Sequence, residues 1–302
     1  MEKPLVCREP GPVRRAYPVP SVPVCPAPIF AVQPENLPGP AGKAGKALTH
    51  QSRQFAFVIQ QLTARELKRK YARSYLGVVW SVLNPLLSMA VLSLIFSQLF
   101  RRSIEHYPIY YLSGYLLWQA FTGATTAAMT TLADNKTLLL KVKFPMELFV
   151  LTRVYTALIN LGYSLAAYGV MLAVFRITLK WAMLMIPVII GCLFLFSLGV
   201  AFLLATAYVF FGDIKHLYSV VLTLWMYCSA IFYPVQQLSG PIRVVIEHNP
   251  LYIYIHGMRS AVLYGALPEP GDLAQMLLWS LGMCLTGYTV FRRSRNKIME
   301  RI

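Results

Sequence analysis

The chain has 302 residues, 57% of them hydrophobic and only 13% charged, a balance that excludes an ordinary soluble domain. Its net charge of +16 invites a nucleic-acid reading, yet the basic residues border uncharged runs instead of forming one patch, so nucleic acid is set aside as a partner. Cys7, Cys25, Cys192, Cys228 and Cys284 show no CxxC pair or regular spacing, which supports neither a disulfide framework nor a metal site.

Residues 1–50 carry Pro at 4, 10, 12, 18, 20, 23, 26, 28, 34, 38 and 40, which disfavours helix and sheet alike. The expectation is a disordered cytoplasmic tail preceding a membrane domain over 51–302. No apolar run here is long enough for a signal-peptide core. Gly39 to Ala47 reads GPAGKAGKA and mimics a nucleotide-binding loop. Its glycine spacing is one residue too long, Ala47 stands where a hydroxyl is needed, and no strand precedes it. The chain therefore carries no recognisable ATP site of its own.

From Arg53 to Tyr71 the apolar positions Phe55, Val58, Ile59 and Leu62 follow i, i+3, i+4, i+7, one face of an amphipathic helix suited to a membrane interface. A cytoplasmic helix packed on a partner fits the same pattern. The helix ends in a basic block (Arg65, Lys68, Arg69, Lys70, Arg73) that runs straight into an uncharged segment. Runs without Asp, Glu, Lys or Arg then cover 74–100, 106–133, 154–175, 181–212, 216–242 and 273–291. About 20 apolar residues cross a bilayer as a helix, so the sequence predicts an all-α integral membrane protein with six transmembrane helices.

Asn84-Pro85 falls within the first span and Pro187 early in the fourth, where proline bends a helix. Gly162, Ala166, Ala167 and Gly169 offer close helix contact along the third. After the fifth span, Pro234, Pro241, Pro250, Pro268 and Pro270 punctuate a segment too charged and broken to cross again. Leu238–His248 and Leu251–Leu263 each predict a short helix, re-entrant or lying on the outer surface. Most of the 28 Lys and Arg fall on one side if both termini are cytoplasmic; the exceptions are Arg101, Arg102, Arg176, Lys180, Arg243 and Arg259. That positive-inside bias orients a multi-pass protein of the plasma (inner, cytoplasmic) membrane, and the basic flanks suit anionic membrane lipids.

No catalytic constellation is visible, since the twelve acidic residues are scattered. The runs 74–100, 154–175, 181–212 and 273–291 hold no titratable Asp, Glu, Lys, Arg or His. Intramembrane charges mark ion and proton paths, so their absence argues against an ion-coupled carrier.

Several motifs, in order, resemble a known family. They are Tyr71-x-x-Ser74-x-Leu76-Gly77-x-x-Trp80 with Pro85-Leu86; Phe144-Pro145 with Glu147; Asp213 and His216; SAIFYP at 229–234; and Asn249-Pro250-Leu251 followed by Arg259. Over residues 53–300 the chain resembles the membrane permease subunit of type-2 ABC exporters, closest to those exporting O-antigen, capsule or teichoic-acid polymers. Two positions depart from the pattern: Met146 stands where the family usually has a basic residue, and Gly212 where Arg often precedes the acid.

The resemblance implies a transport subunit and not an enzyme. It implies a homodimer around a central path, with two copies of a separate ABC ATPase that bind ATP and Mg; this chain itself carries no cofactor. The segment 134–147 would seat in the ATPase. Its apolar Leu138, Leu139, Leu140 and Phe144 suit docking, and Lys136, Lys141 and Lys143 suit acidic partners, with Pro145, Glu147 and Asp213 in the same contact. A plain positive-inside loop fits Lys136–Lys143 equally, and Asp213 also suits an N-terminal acid on the fifth span.

Tyr107, Tyr110, Tyr111, Tyr115 and Trp118 cluster at the outer end of the second span, and Tyr227, Phe232 and Tyr233 at that of the fifth. Interfacial aromatics are expected in any membrane protein. The sharper expectation is that some line the path, where sugar faces stack on rings. The function expected is ATP-driven export of a lipid-linked polysaccharide or teichoic-acid-type polymer. A drug, antibiotic or lipid permease of the same fold is the alternative. A membrane-embedded glycosyl- or phosphotransferase would need an acidic cluster of the DxD or HxxxD kind, which is missing.

Overall fold

Eleven α-helices and no strand make up the residues that the computed structural model describes, which are 44–71, 77, 79–100, 106–141 and 145–301. Of the disordered tail expected over 1–50, residues 1–43 lie outside them and 44–50 fall in the first helix. Helix α1 (Ala44–Tyr71) carries the amphipathic pattern and α2 (Val79–Phe100) the first uncharged run. They are followed by α3 (Tyr107–Met129), the short α4 (Thr131–Asp134) and α5 (Lys136–Lys141), then α6 (Glu147–Val174). A 3₁₀ turn (Trp181–Met185) leads into α7 (Ile186–Phe210), and α8 (Ile214–Cys228) comes next. The outer segment forms α9 (Pro241–Glu247), α10 (Pro250–Arg259) and a π turn (Ser260–Tyr264) before the long α11 (Pro270–Arg301).

Proline sets many of these starts. It stands in the first turn of α3, α7, α9, α10 and α11, where its fixed φ suits the helix and its missing N–H is no loss. The short helices α9 and α10 thus fall where the sequence predicts them. Pro187 opens α7 instead of bending it.

Among the described residues, three helices are long and apolar enough to cross a membrane: Glu147–Val174, the continuous Trp181–Phe210, and Pro270–Arg301. The other three expected spans stop short of that standard for physical reasons. In α2 the apolar stretch Val82–Leu92 is brief. The middle of α3 is diluted by Tyr, Thr, Gly and Gln. Helix α8 has 15 residues, roughly 22 Å, against a hydrocarbon core of about 30 Å.

Apart from a small third core of Ala230, Val235, Ile246 and Tyr252, the described part of Ala47–Ile302 packs around two large cores along the bundle. One joins Leu132, Leu139, Met146 and Phe149 to Phe202, Phe291 and Ile298, with Leu62 of α1 against it. The other joins α3, α7 and α10 through Phe121, Phe196 and Tyr254, whose rings meet at 5.7 and 5.9 Å.

Helices α7 and α11 make the closest approach. A Cβ at Gly287 would overlap the Gly199 carbonyl, and one at Gly199 the Met283 backbone. Glycines of the third span, by contrast, face open space: nothing lies within 4 Å of a Cβ at Gly162 or Gly169. Apolar side chains on the outer faces of α2, α6, α8 and α11 are exposed, among them Leu94, Val170, Leu224 and Leu278. So many exposed apolar residues fit a chain surrounded by lipid or partner helices.

Candidate functional site

Two regions carry the residues singled out from sequence, one at each end of the bundle. At the α10 end, the residues bind one another. Arg259 is buried at 3% exposure with no acid beside it. Its Nη1 donates to the Ala230 carbonyl (3.0 Å) and to Tyr110 Oη (2.9 Å), its Nη2 to the Ile231 carbonyl (2.9 Å), and its Nε to the Tyr110 carbonyl (3.3 Å). The guanidinium also lies over the Tyr110 ring, 3.6 Å from its centre. Carbonyl dipoles and a π face stand in for a counter-ion, which a planar five-donor fork can exploit and an ammonium cannot.

Asn249 works beside it. Its Oδ1 accepts from Trp225 Nε1 (2.9 Å) and Leu251 N (3.1 Å), while its Nδ2 donates to the Cys228 carbonyl (2.9 Å) and Ser229 Oγ (3.3 Å). Pro250 then starts α10. Asn249 takes the carbonyl of Cys228, the last residue of α8, and Arg259 takes those of Ala230 and Ile231 in the turn that follows, which fixes a turn after Cys228 although the following residues stay uncharged. The uncharged run 216–242 therefore holds a helix that ends at Cys228, ahead of the Tyr233-Pro234 break. Asn249→Asp keeps both acceptor contacts and loses both donors, so it should cost about 2 kcal/mol. Thermal unfolding in detergent checks this; an unchanged midpoint would remove Asn249 from the cap.

The two aromatic groups join into one cluster. Tyr107 and Tyr110 hydroxyls donate to the carbonyls of Phe232 and Tyr233, both at 3.0 Å, and Tyr111 stacks on Phe232 at 5.8 Å and on Tyr115 at 5.2 Å. Tyr110, Tyr111 and Trp118, expected along a path, are buried inside this chain, held by the 229–234 turn and the α3–α7 core. Tyr115, Phe232 and Tyr233 are half-buried. Tyr227 is exposed at 56% and braces the cluster through its ring, 6.1 Å from that of Phe232, and through its carbonyl, which accepts from Tyr233 Oη.

At the other end, α3 turns through α4 and α5 into α6. Asn135 Nδ2 donates to the Thr131 carbonyl and Thr130 Oγ1 to Asp134, which close the tight reversal. Lys136 and Lys141 project outward and Leu138 is half-buried. Leu139, expected at a partner surface, is 5% exposed and buried in this chain's own core; its neighbour Leu140, 60% exposed, is the apolar residue facing out. The face is decided by which leucine meets Ile298 and Phe149 in that core. Met146 is buried in the same core, which accounts for an apolar residue there.

Pro145 and Glu147 open α6, with Glu147 in its first turn, a favourable place for an acid. Lys143 and Phe144 lie outside the described residues. Asp213 takes the N-cap position of α8 without a capping hydrogen bond and is exposed. No described contact ties it to α5. Of the opening motif, Ser74 and the Tyr71 side chain are outside the described residues. Gly77 adopts φ +47°, a left-handed turn that favours glycine, and its carbonyl accepts from Trp80 N just before α2. Trp80 is exposed and Pro85 buried.

Sequence reading missed one group. Arg153 in α6 contacts Glu66 of α1 and Asp134 of α4, next to a cleft of about 730 Å³ walled by α1, α3 and α6. The available signal was an isolated cation bounding the third uncharged run and a single acid within the basic block.

Comparison with known proteins covers most of this architecture. The ABC-2 type transporter family matches residues 58–263. The chain is 27% identical over 251 residues to an O-antigen export system permease protein of Myxococcus xanthus, covering 82% of this chain and 96% of that one. To an O-antigen export system permease protein of Klebsiella pneumoniae it is 28% identical over 243 residues, covering 79% and 92%. To a polysialic acid transport protein of Escherichia coli it is 19% identical over 253 residues, covering 80% and 95%.

Proposed function

The chain belongs to the ABC-2 type transporter family, and from that premise we propose that it is the permease subunit of an ATP-driven exporter of a lipid-linked polysaccharide. One observation carries the reading. Relatives named as O-antigen export and polysialic acid transport proteins match nearly their whole length, over the region that holds the bundle and both terminal sites.

In this reading the protein sits in the inner membrane with both termini cytoplasmic and crosses it six times. The α2, α3 and α8 helices join the three longer ones, and α9 and α10 are re-entrant from the outside. The short α8 needs only part of the bilayer because the 229–234 turn and α10 fill the remainder. Two copies flank the path. The exposed apolar side of α8 (Leu217, Val220, Leu224, Tyr227) supports that assignment, since in α8 only Tyr218 is buried within one copy. Two copies of a separate ATPase, which bind ATP and Mg, lie beneath. They meet the α4–α5 reversal through Leu140, Lys136 and Lys141, with Asp213 on the same side.

The permease and its ATPase, reconstituted in proteoliposomes with a lipid-linked polymer, provide the test. Changing Lys136 and Lys141 to Glu together with Leu140→Asp should abolish copurification of the ATPase and reduce export at least tenfold, or about 1.4 kcal/mol of lost interaction. Undiminished copurification would sink the assigned contact. Export of a small amphiphile but no polymer would shift the function to a drug or lipid permease.

A further inference from the structure

We infer that Arg153 is a positioning residue, the central pin of a charged strut that makes α1, α4 and the base of α6 move as one body. The inference rests on the reading of the α4–α5 reversal as the ATPase contact and adds the route by which that contact reaches the first span.

The Arg153 guanidinium uses each nitrogen in a different direction. Nη1 meets Glu66 Oε2 on α1, Nη2 meets Asp134 Oδ2 on α4 at 3.3 Å, and Nε donates to Thr131 Oγ1 at 3.3 Å. Asp134 is itself steadied by Thr130 Oγ1 at 3.0 Å. The Arg153 and Glu66 side chains are only 15% and 14% exposed, so this pair is largely withdrawn from water. Removing one member of such a pair strands the other, which makes the arrangement sensitive to any single change.

Packing alone does not hold α1 in place. Among its described side chains Thr63 is the one buried, with Leu62 partly covered by the nearby core, and most others are half-buried or exposed. On the bundle side a cleft of about 730 Å³ lies between α1 and the α3 residues Gln119 and Gly123. A helix beside open space needs a directional tie to follow a neighbour's movement. A guanidinium bonded to both α1 and α4 supplies one, because displacement of Asp134 and Thr131 moves Arg153 and, with it, Glu66. The next residues of the chain after α1 lead to α2, so a push on the reversal is delivered to the first span.

The test measures polymer exported per ATP hydrolysed by the full permease–ATPase complex in proteoliposomes. Arg153→Met should leave the ATPase bound and hydrolysing but lower that ratio at least tenfold, and Glu66→Gln should lower it about as much. Arg153→Lys, which keeps charge without the fork, should recover part of it. Because both residues serve one tie, Glu66→Gln combined with Arg153→Met should be no worse than Arg153→Met alone. A wild-type ratio in Arg153→Met, or additive losses in the double variant, would overturn the strut. If Arg153→Met fails to accumulate, Glu66→Gln decides alone: a normal ratio refutes, a tenfold fall supports. Wild-type complex without ATP-dependent export would overturn the exporter reading, and the strut with it. Normal wild-type export beside an undisturbed Arg153→Met overturns the strut only.

Discussion

Replacing Arg259 with Met should lower the thermal midpoint of the detergent-solubilised protein by about 10 °C, the largest effect expected from any single side chain here. The change leaves the carbonyls of Ala230 and Ile231 without their guanidinium donor and removes one donor each from the Tyr110 carbonyl and hydroxyl, which keep Ser113 Oγ and the Tyr233 carbonyl as partners. Breaking a buried charged network costs about 3–5 kcal/mol. In a bundle surrounded by lipid, water cannot reach those groups to compensate. Arg259→Lys should recover little, since an ammonium lacks the planar fork that reaches four acceptors at once. The loss should concentrate at the outer turn, so amides of 228–234 should gain hydrogen exchange before those of α7. An Arg259→Met protein melting like wild type would show that the turn is held by the aromatic cluster without the cation.

The α7–α11 contact predicts a second large effect, of steric origin. A leucine at Gly287 must enter the space of the Gly199 carbonyl, and rigid backbone cannot yield as a side-chain tip can. One extra methyl group in a tight core costs about 1–3 kcal/mol, so Gly287→Ala should already destabilise by roughly that amount. Gly287→Leu should cost more and should prevent the two helices from pairing. Gly162→Ala and Gly169→Ala supply the contrast. They meet open space, and alanine favours helix over glycine by up to about 1 kcal/mol, so both should be neutral or mildly stabilising. Melting curves of the four variants decide the matter. Equal effects at Gly162 and Gly287 would contradict the assigned helix contact.

That contrast shows where sequence reading reaches its limit. Small residues are visible in a string of letters, and those of the third span looked suited to close packing. Only the partner helix determines which glycine is met by backbone, and the partner of Gly199 lies about 90 residues away at Gly287. Leu138, Leu139 and Leu140 pose the same problem on a smaller scale. Three adjacent leucines are indistinguishable by composition, and the position of Ile298 and Phe149 selects Leu139 for the core and leaves Leu140 outside. The aromatic residues at the end of α3 were grouped correctly, yet burial turns Tyr110 and Tyr111 from candidate path residues into braces.

Properties that depend on composition alone were legible from the start. Partition into a bilayer follows from the length and polarity of each run, so an all-helical membrane protein was readable without coordinates, and proline marked the outer helices because its fixed φ and missing N–H act locally. The ABC-2 family was legible through motifs that keep their order along the chain. The end of α8 was not. Asn249 takes the Cys228 carbonyl and Arg259 those of Ala230 and Ile231 in the turn beyond, and both come from the α10 segment further along the chain. The strut at Arg153 was hidden likewise, because an ion pair is a relation between α1, α4 and α6 that exists only once the chain has brought them together. Local chemistry selects the solvent and the helices, whereas the pairing of buried donors, acceptors and glycines is set by distant partners.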